Sequence, residues 1–119
     1  MKKILVVEDN MDNMYLIDFM LSTRGYAVLP AWSGREGVEM AIRERPDLIL
    51  MDIQLPDMDG LEATRQIRAS PVDGSIPIVA LTSYALTGDR QRALAAGCSG
   101  YIEKPIDPDQ FLNQIQNFL

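Results

Sequence analysis

The chain has no histidine among its 119 residues and only one cysteine, Cys98. Without imidazole, and with no thiol near its acids, a metal site here must be built from oxygen ligands, which favour hard ions. One cysteine excludes an internal disulfide and suits a reducing cytosol, so the expected location is cytoplasmic. Basic residues are outnumbered 11 to 17, giving a formal net charge of −6. With no basic stripe, direct nucleic-acid binding is not expected. The apolar runs are only of strand length, so nothing is expected to span a membrane. Met1-Lys2-Lys3 runs straight into a strand, without the apolar core and cleavage site of a secretory signal. Hydrophobic residues make up 47% and charged residues 24%, an ordinary globular balance. A chain of this length predicts one domain over residues 1–119.

Strand and helix patterns alternate five times. The first strand spans about Lys3 to Glu8. A helix with Leu16, Ile17, Met20 and Leu21 on one face follows and stops at Gly25, a C′ glycine. Tyr26 to Leu29 is a shorter strand near an edge. Ser33 and Glu36 form a capping box for a helix whose inner face is Val38, Ala41 and Ile42, and Pro46 ends it. Asp47 to Met51 is the third strand. A turn-rich loop, Leu55 to Gly60, leads into a helix capped by Asp59, with Leu61, Thr64 and Ile67 facing inward. Pro71 to Pro77 is a loop and Ile78 to Leu81 the fourth strand. A helix from about Thr87 ends near Gly97. Gly100 to Glu103 is the fifth strand. Asp107-Pro108 opens the last helix, with Phe111, Leu112, Ile115, Phe118 and Leu119 as its apolar stripe. Five βα units predict a doubly wound α/β fold of flavodoxin-like order 2-1-3-4-5, the most apolar strands being central.

Two apolar runs end in acids. Ile4-Leu5-Val6-Val7 leads to Glu8-Asp9, and Leu48-Ile49-Leu50-Met51 leads to Asp52. Ligands of open α/β sheets bind outside the carboxyl ends of the strands, and three acids there would repel one another without a cation. An all-oxygen set favours Mg²⁺, with Mn²⁺ able to substitute. The fourth strand ends in Thr82-Ser83, and the fifth is followed by Lys104. A hydroxyl and an ammonium beside a metal-bound carboxylate are what a PO₃ group needs during transfer. Asp52 would then be the nucleophile, forming an aspartyl phosphate. Each residue alone has an ordinary alternative. Asp9 could cap a helix, Glu8 could be a solvated strand end and Asp52 a turn starter. Asp57 and Asp59 read as turn and cap residues, and Cys98 as a small buried residue. Five groups from four strands converging on one sheet edge outweigh those alternatives.

Together, Val7-Glu8-Asp9-Asn10, Met51-Asp52-Ile53-Gln54-Leu55-Pro56, Asp59-Gly60, Thr82-Ser83 and Lys104-Pro105 resemble the receiver domains of two-component response regulators. Asn13-Met14 and Gly97-Cys98 make the chain most similar to single-domain regulators of the DivK type. The resemblance implies that Asp52 is the phosphoacceptor, and that Asp9 and the Gln54 backbone carbonyl are direct Mg²⁺ ligands. Glu8 would act mainly through a metal-bound water. Thr82 and Lys104 would hold phosphoryl oxygens, Lys104-Pro105 would be a cis peptide, and Tyr101 would be the switch aromatic coupled to Thr82. Gln54 and Tyr84 would flank the path of an attacking water and slow hydrolysis.

The expectation is a stand-alone switch that catalyses only its own phosphorylation and dephosphorylation. A histidine kinase or histidine phosphotransfer protein must donate the phosphoryl group, since this chain has no histidine. Met11 and Met14 are candidates for docking that donor, although core packing explains one of them equally well. By resemblance the output face is the fourth helix, fifth strand and fifth helix, on a monomer or weak phosphorylation-dependent dimer. A receiver segment of a hybrid kinase shares this wording. An aspartyl-phosphate phosphohydrolase would have an acid where Gln54 stands. A flavodoxin-type carrier would have hydroxyls where Glu8 and Asp9 stand.

Overall fold

The computed structural model describes residues 1–72, 74–83 and 87–119, the side chains of residues 87 and 89 excepted. Strands and helices alternate as β1 (Lys3–Val7), α1 (Met11–Thr23), β2 (Ala27–Ala31), α2 (Gly34–Glu44), β3 (Leu48–Asp52), α3 (Gly60–Ala69), β4 (Ile78–Thr82), α4 (Thr87–Ala96), β5 (Gly100–Glu103) and α5 (Pro108–Gln116). The strands form one parallel sheet of order β2-β1-β3-β4-β5, as expected. The chain leaves β1 toward β2 but returns to β3 on the other side, which opens a crevice between the ends of β1 and β3.

Period-two alternation splits the strand side chains between two cores. Leu5, Val7, Ile49, Met51, Ile78 and Ala80 pack with Ala41, Leu61, Ile67 and Ala93 of α2, α3 and α4. Ile4, Val6, Leu48, Leu50, Val79 and Leu81 pack with Ile17 and Leu21 of α1 and with Phe111 and Ile115 of α5. Each large apolar side chain buried this way contributes roughly 1.5–3 kcal/mol. These layers fix the strand ends that carry the acids. Among the described residues, no helix is long and apolar enough to cross a membrane.

Several boundaries and faces differ from the sequence expectation. Glu8 falls outside β1, although its N–H still bonds the Ala31 carbonyl at 3.0 Å. β2 is shifted to Ala27–Ala31 because it pairs with β1 in register from Lys3 with Ala27 to Val7 with Ala31. Pro30 is tolerated because β2 is an edge strand. β3 and β4 each run one residue further, to Asp52 and Thr82. In α1 the inner face is Met14, Ile17, Met20 and Leu21, while Leu16 is 36% exposed. That helix carries apolar residues around its whole circumference, so local periodicity does not single out the buried side. In α2, Gly34, Gly37 and Ala41 face inward and Ile42 is exposed. Its smallest residues let it approach the sheet most closely. Leu61, Thr64 and Ile67 of α3 are buried as expected, and Asp59 and Asp107 are N-caps. Cys98 is buried.

Candidate functional site

Glu8, Asp9 and Asp52 meet in the crevice between β1 and β3. One carboxylate oxygen from each lies within 4.8 Å of the others. The ordinary roles considered for Asp9 and Glu8 do not hold here. The cap of α1 is Asn10, whose side chain accepts from the Asn13 N–H at 2.9 Å, and Asp9 is left exposed at the crevice. Glu8 is fully buried, and its Oε2 accepts from the Asn10 N–H at 3.2 Å.

Asp52 ends β3 and is 4% exposed. Its Oδ1 accepts from the Gln54 N–H at 3.1 Å. Its Oδ2 accepts from the Lys104 ammonium at 3.0 Å, and that ammonium also donates to Glu8 at 2.6 Å. Gly60 allows the following helix to start directly against this strand end. A Cβ there would lie 2.0 Å from the Asp52 carbonyl oxygen.

Lys104 reaches the acids because β5 lies beside β4. Its N–H donates to the Thr82 carbonyl at 2.7 Å, which ties the lysine to the end of the neighbouring strand. The Lys104–Pro105 peptide is cis, as the resemblance implied. Thr82 is 3% exposed. An open cleft of about 280 Å³ is lined by Glu8, Asp9, Asn10, Asn13, Asp52, Gln54, Ser83 and Lys104.

Burial pushes the Asp52 carboxyl up to about 7, and the adjacent Glu8 adds to the rise while Lys104 offsets part of it. Glu8 goes the other way. Its burial alone would raise it, but hydrogen bonds from Asp52, Lys104 and the Asn10 N–H hold it below the usual carboxylate range. The Lys104 ammonium is raised, because its two acidic partners outweigh the cost of burial. Three carboxylates, two of them buried, thus face a single ammonium, and the ionised cluster is left with two uncompensated negative charges. Such a donor set fits a hard divalent cation with Glu8, Asp9 and Asp52 around it.

Residues 4–116 match the response regulator receiver domain. The chain belongs to that family. The receiver is 40% identical over 118 residues to the polar-differentiation response regulator DivK of Brucella anthropi, covering 99% of this chain and 96% of that protein. It is 43% identical to the receiver domain of the Pseudomonas aeruginosa sensor histidine kinase PA1611, with a TM-score of 0.90 and coverage of 98% and 96%. That structure has a magnesium ion coordinated in its active site cleft. The Vibrio cholerae chemotaxis protein CheY4 superposes with a TM-score of 0.95 at 31% identity, covering 100% of this chain and 99% of that one. The acid and lysine cluster of this receiver is of the kind that serves Mg²⁺-dependent aspartate phosphorylation.

The remaining candidates are spread around this centre. Tyr101 of β5 is half-buried, its hydroxyl donates to Glu103 at 3.1 Å, and the Arg90 guanidinium stands over its ring at 5.7 Å. Met14 is 3% exposed and belongs to the core, while Met11 is 74% exposed. Tyr84 lies outside the described residues. Sequence reasoning used Asn13 only as a mark of the resemblance and did not place it in the cleft, which it lines one helical turn after the cap. It also missed the reach of Asp57, whose carboxylate bonds the N–H groups of Gly34 and Arg35. Asn13 was legible in principle, because an Asn10 cap places the third helical residue at the same end. The Asp57 contact joins segments with no local pattern in common.

Proposed function

We propose that the chain acts as a single receiver domain over residues 1–119, a stand-alone regulator in the cytoplasm. In this reading Asp52 takes a phosphoryl group from a phosphohistidine of a histidine kinase or phosphotransfer protein. The observation that carries it is the placement of the Asp52 carboxylate at a buried strand end, beside two further acids and 3.0 Å from Lys104. The reaction breaks the donor's P–N bond and forms a P–O bond to an Asp52 oxygen. A carboxylate is competent for this only when deprotonated. When bound by Glu8, Asp9, Asp52 and the Gln54 carbonyl, Mg²⁺ supplies the charge that favours the Asp52 anion and balances the phosphoryl oxygens.

The chain's own groups do the rest. Lys104 neutralises developing charge on one phosphoryl oxygen, and the Thr82 hydroxyl donates to another. Thr82 and Tyr101 then form the switch, read by a partner on the face of α4, β5 and α5. The product is a conformation, so the protein acts on itself and turns over no metabolite. Met11, exposed at the first residue of α1, supports donor docking at that end, and Met14 drops out of that role.

A receiver segment of a hybrid kinase remains the second reading, favoured by the likeness to the PA1611 receiver. The site chemistry is the same in both. Incubation with acetyl phosphate and Mg²⁺ tests the common core. A hydroxylamine-sensitive label that disappears in Asp52→Asn is expected, and a hydroxylamine-resistant label would overturn the assignment.

A further inference from the structure

The loop after β3 begins at the acid cluster and touches down on a different helix. Its base is closed by the Gly60 N–H donating to the Ile53 carbonyl at 2.8 Å and by a bridge between Gln54 and Asp59. Its tip reaches the first turn of α2. There the two carboxylate oxygens of Asp57 accept the N–H groups of Gly34 at 2.8 Å and Arg35 at 2.9 Å. The first N–H groups of a helix have no partner within it. Ser33, the N-cap of α2, accepts from Glu36 at 3.1 Å, so Asp57 satisfies the first two donors and Ser33 the third. Met58 lies directly against Gly34, where a Cβ would stand 2.4 Å from its Cγ.

Between this anchor and Gln54 lie only Leu55 and Pro56. Proline's ring fixes its own φ and restricts the residue before it, so this short span transmits a displacement instead of absorbing it. Gln54 in turn holds Asp52 Oδ1 through its N–H at 3.1 Å and lines the cleft. We infer that Asp57 is a positioning residue of the cation site. By seating the loop tip on α2, it fixes the Gln54 peptide that orients Asp52. This rests on the cation chemistry proposed above. The coupling must be reciprocal, so a cation bound in the cleft also tightens the Asp57 contacts on α2.

The test is Mg²⁺ titration calorimetry together with amide hydrogen exchange at Gly34 and Arg35, on the full chain. Asp57→Ala and Gly34→Ala should each weaken Mg²⁺ binding about tenfold, as expected for loss of an outer support of a metal site. The double variant should be no weaker than either single one, because both break one anchor. Asp57→Asn keeps one acceptor oxygen and should fall in between, and it carries the test should Asp57→Ala not fold. Exchange at Gly34 and Arg35 should slow on adding Mg²⁺ to the wild type. If folded variants bind Mg²⁺ as the wild type does, Asp57 is only a helix cap and the inference is overturned. A folded wild type that binds no Mg²⁺ would overturn the cation reading itself, and this inference with it.

Discussion

Glu8 and Asp52 share one ammonium group, with Lys104 Nζ 2.6 Å from Glu8 and 3.0 Å from Asp52. Two buried carboxylates with one cation between them cannot both be fully compensated. One is held below the usual carboxylate range and the other rises to about 7.

Metal-free stability should therefore depend on pH with a definite sign. Asp52 has an ordinary value of 3.8 and a folded value of about 7, so between these limits the folded state holds a proton that the unfolded state has lost. Stability contributed at this site falls as pH rises through that window, by a few kcal/mol. Glu8, shifted the other way, opposes this from below its usual value of 4.5. Asp52→Asn removes the raised group, so without divalent cations it should be more stable than wild type at pH 8. The advantage should shrink by pH 5. Urea melts at both pH values check this, and a less stable variant at pH 8 would contradict it.

Mg²⁺ should raise the melting temperature more at pH 8 than at pH 5.5, because the cation competes with the Asp52 proton. At a hundred times its dissociation constant, a ligand that binds only the folded state adds about 2.7 kcal/mol. Asp9→Ala should lose most of the shift. An equal rise at both pH values, or one retained in Asp9→Ala, would place the cation elsewhere.

Lys104→Met should cost about 3–5 kcal/mol at pH 8, since it leaves two buried acids without their ammonium. It should also push the Asp52 carboxyl higher, so acetyl phosphate labelling at pH 7 should drop sharply and recover in part at higher pH. Denaturant melts and labelling at several pH values measure both effects. Unchanged labelling across that range would remove Lys104 from the site chemistry.

Thr82→Ala should still accept phosphate at Asp52 but show a much smaller gain in partner affinity. One charge-assisted hydrogen bond of about 1.5–3 kcal/mol shifts a two-state ratio roughly ten- to a hundredfold. Tyr101→Ala should alter partner binding and leave labelling nearly unchanged, because its hydroxyl is bonded to Glu103 and not to the Glu8, Asp9 and Asp52 cluster. If both variants distinguish phosphorylated from unphosphorylated states as well as wild type, Thr82 and Tyr101 are not the switch.

The strand order, the acids at two strand ends and the caps Ser33, Asp59 and Asp107 are legible in the residues alone. Each is a local pattern: apolar runs buried on both faces, or a short polar side chain just before a helix. That Met14 rather than Leu16 faces the core follows from packing in the folded chain, because α1 carries apolar residues on every side and no local pattern chooses among them. The folded chain also decides that Asn10, not Asp9, caps that helix, which leaves Asp9 exposed at the crevice. The shared Lys104 ammonium and the seat of Asp57 on α2 belong to the same class. Both join segments far apart in the chain, and their energies come from burial and geometry that no neighbouring residue encodes.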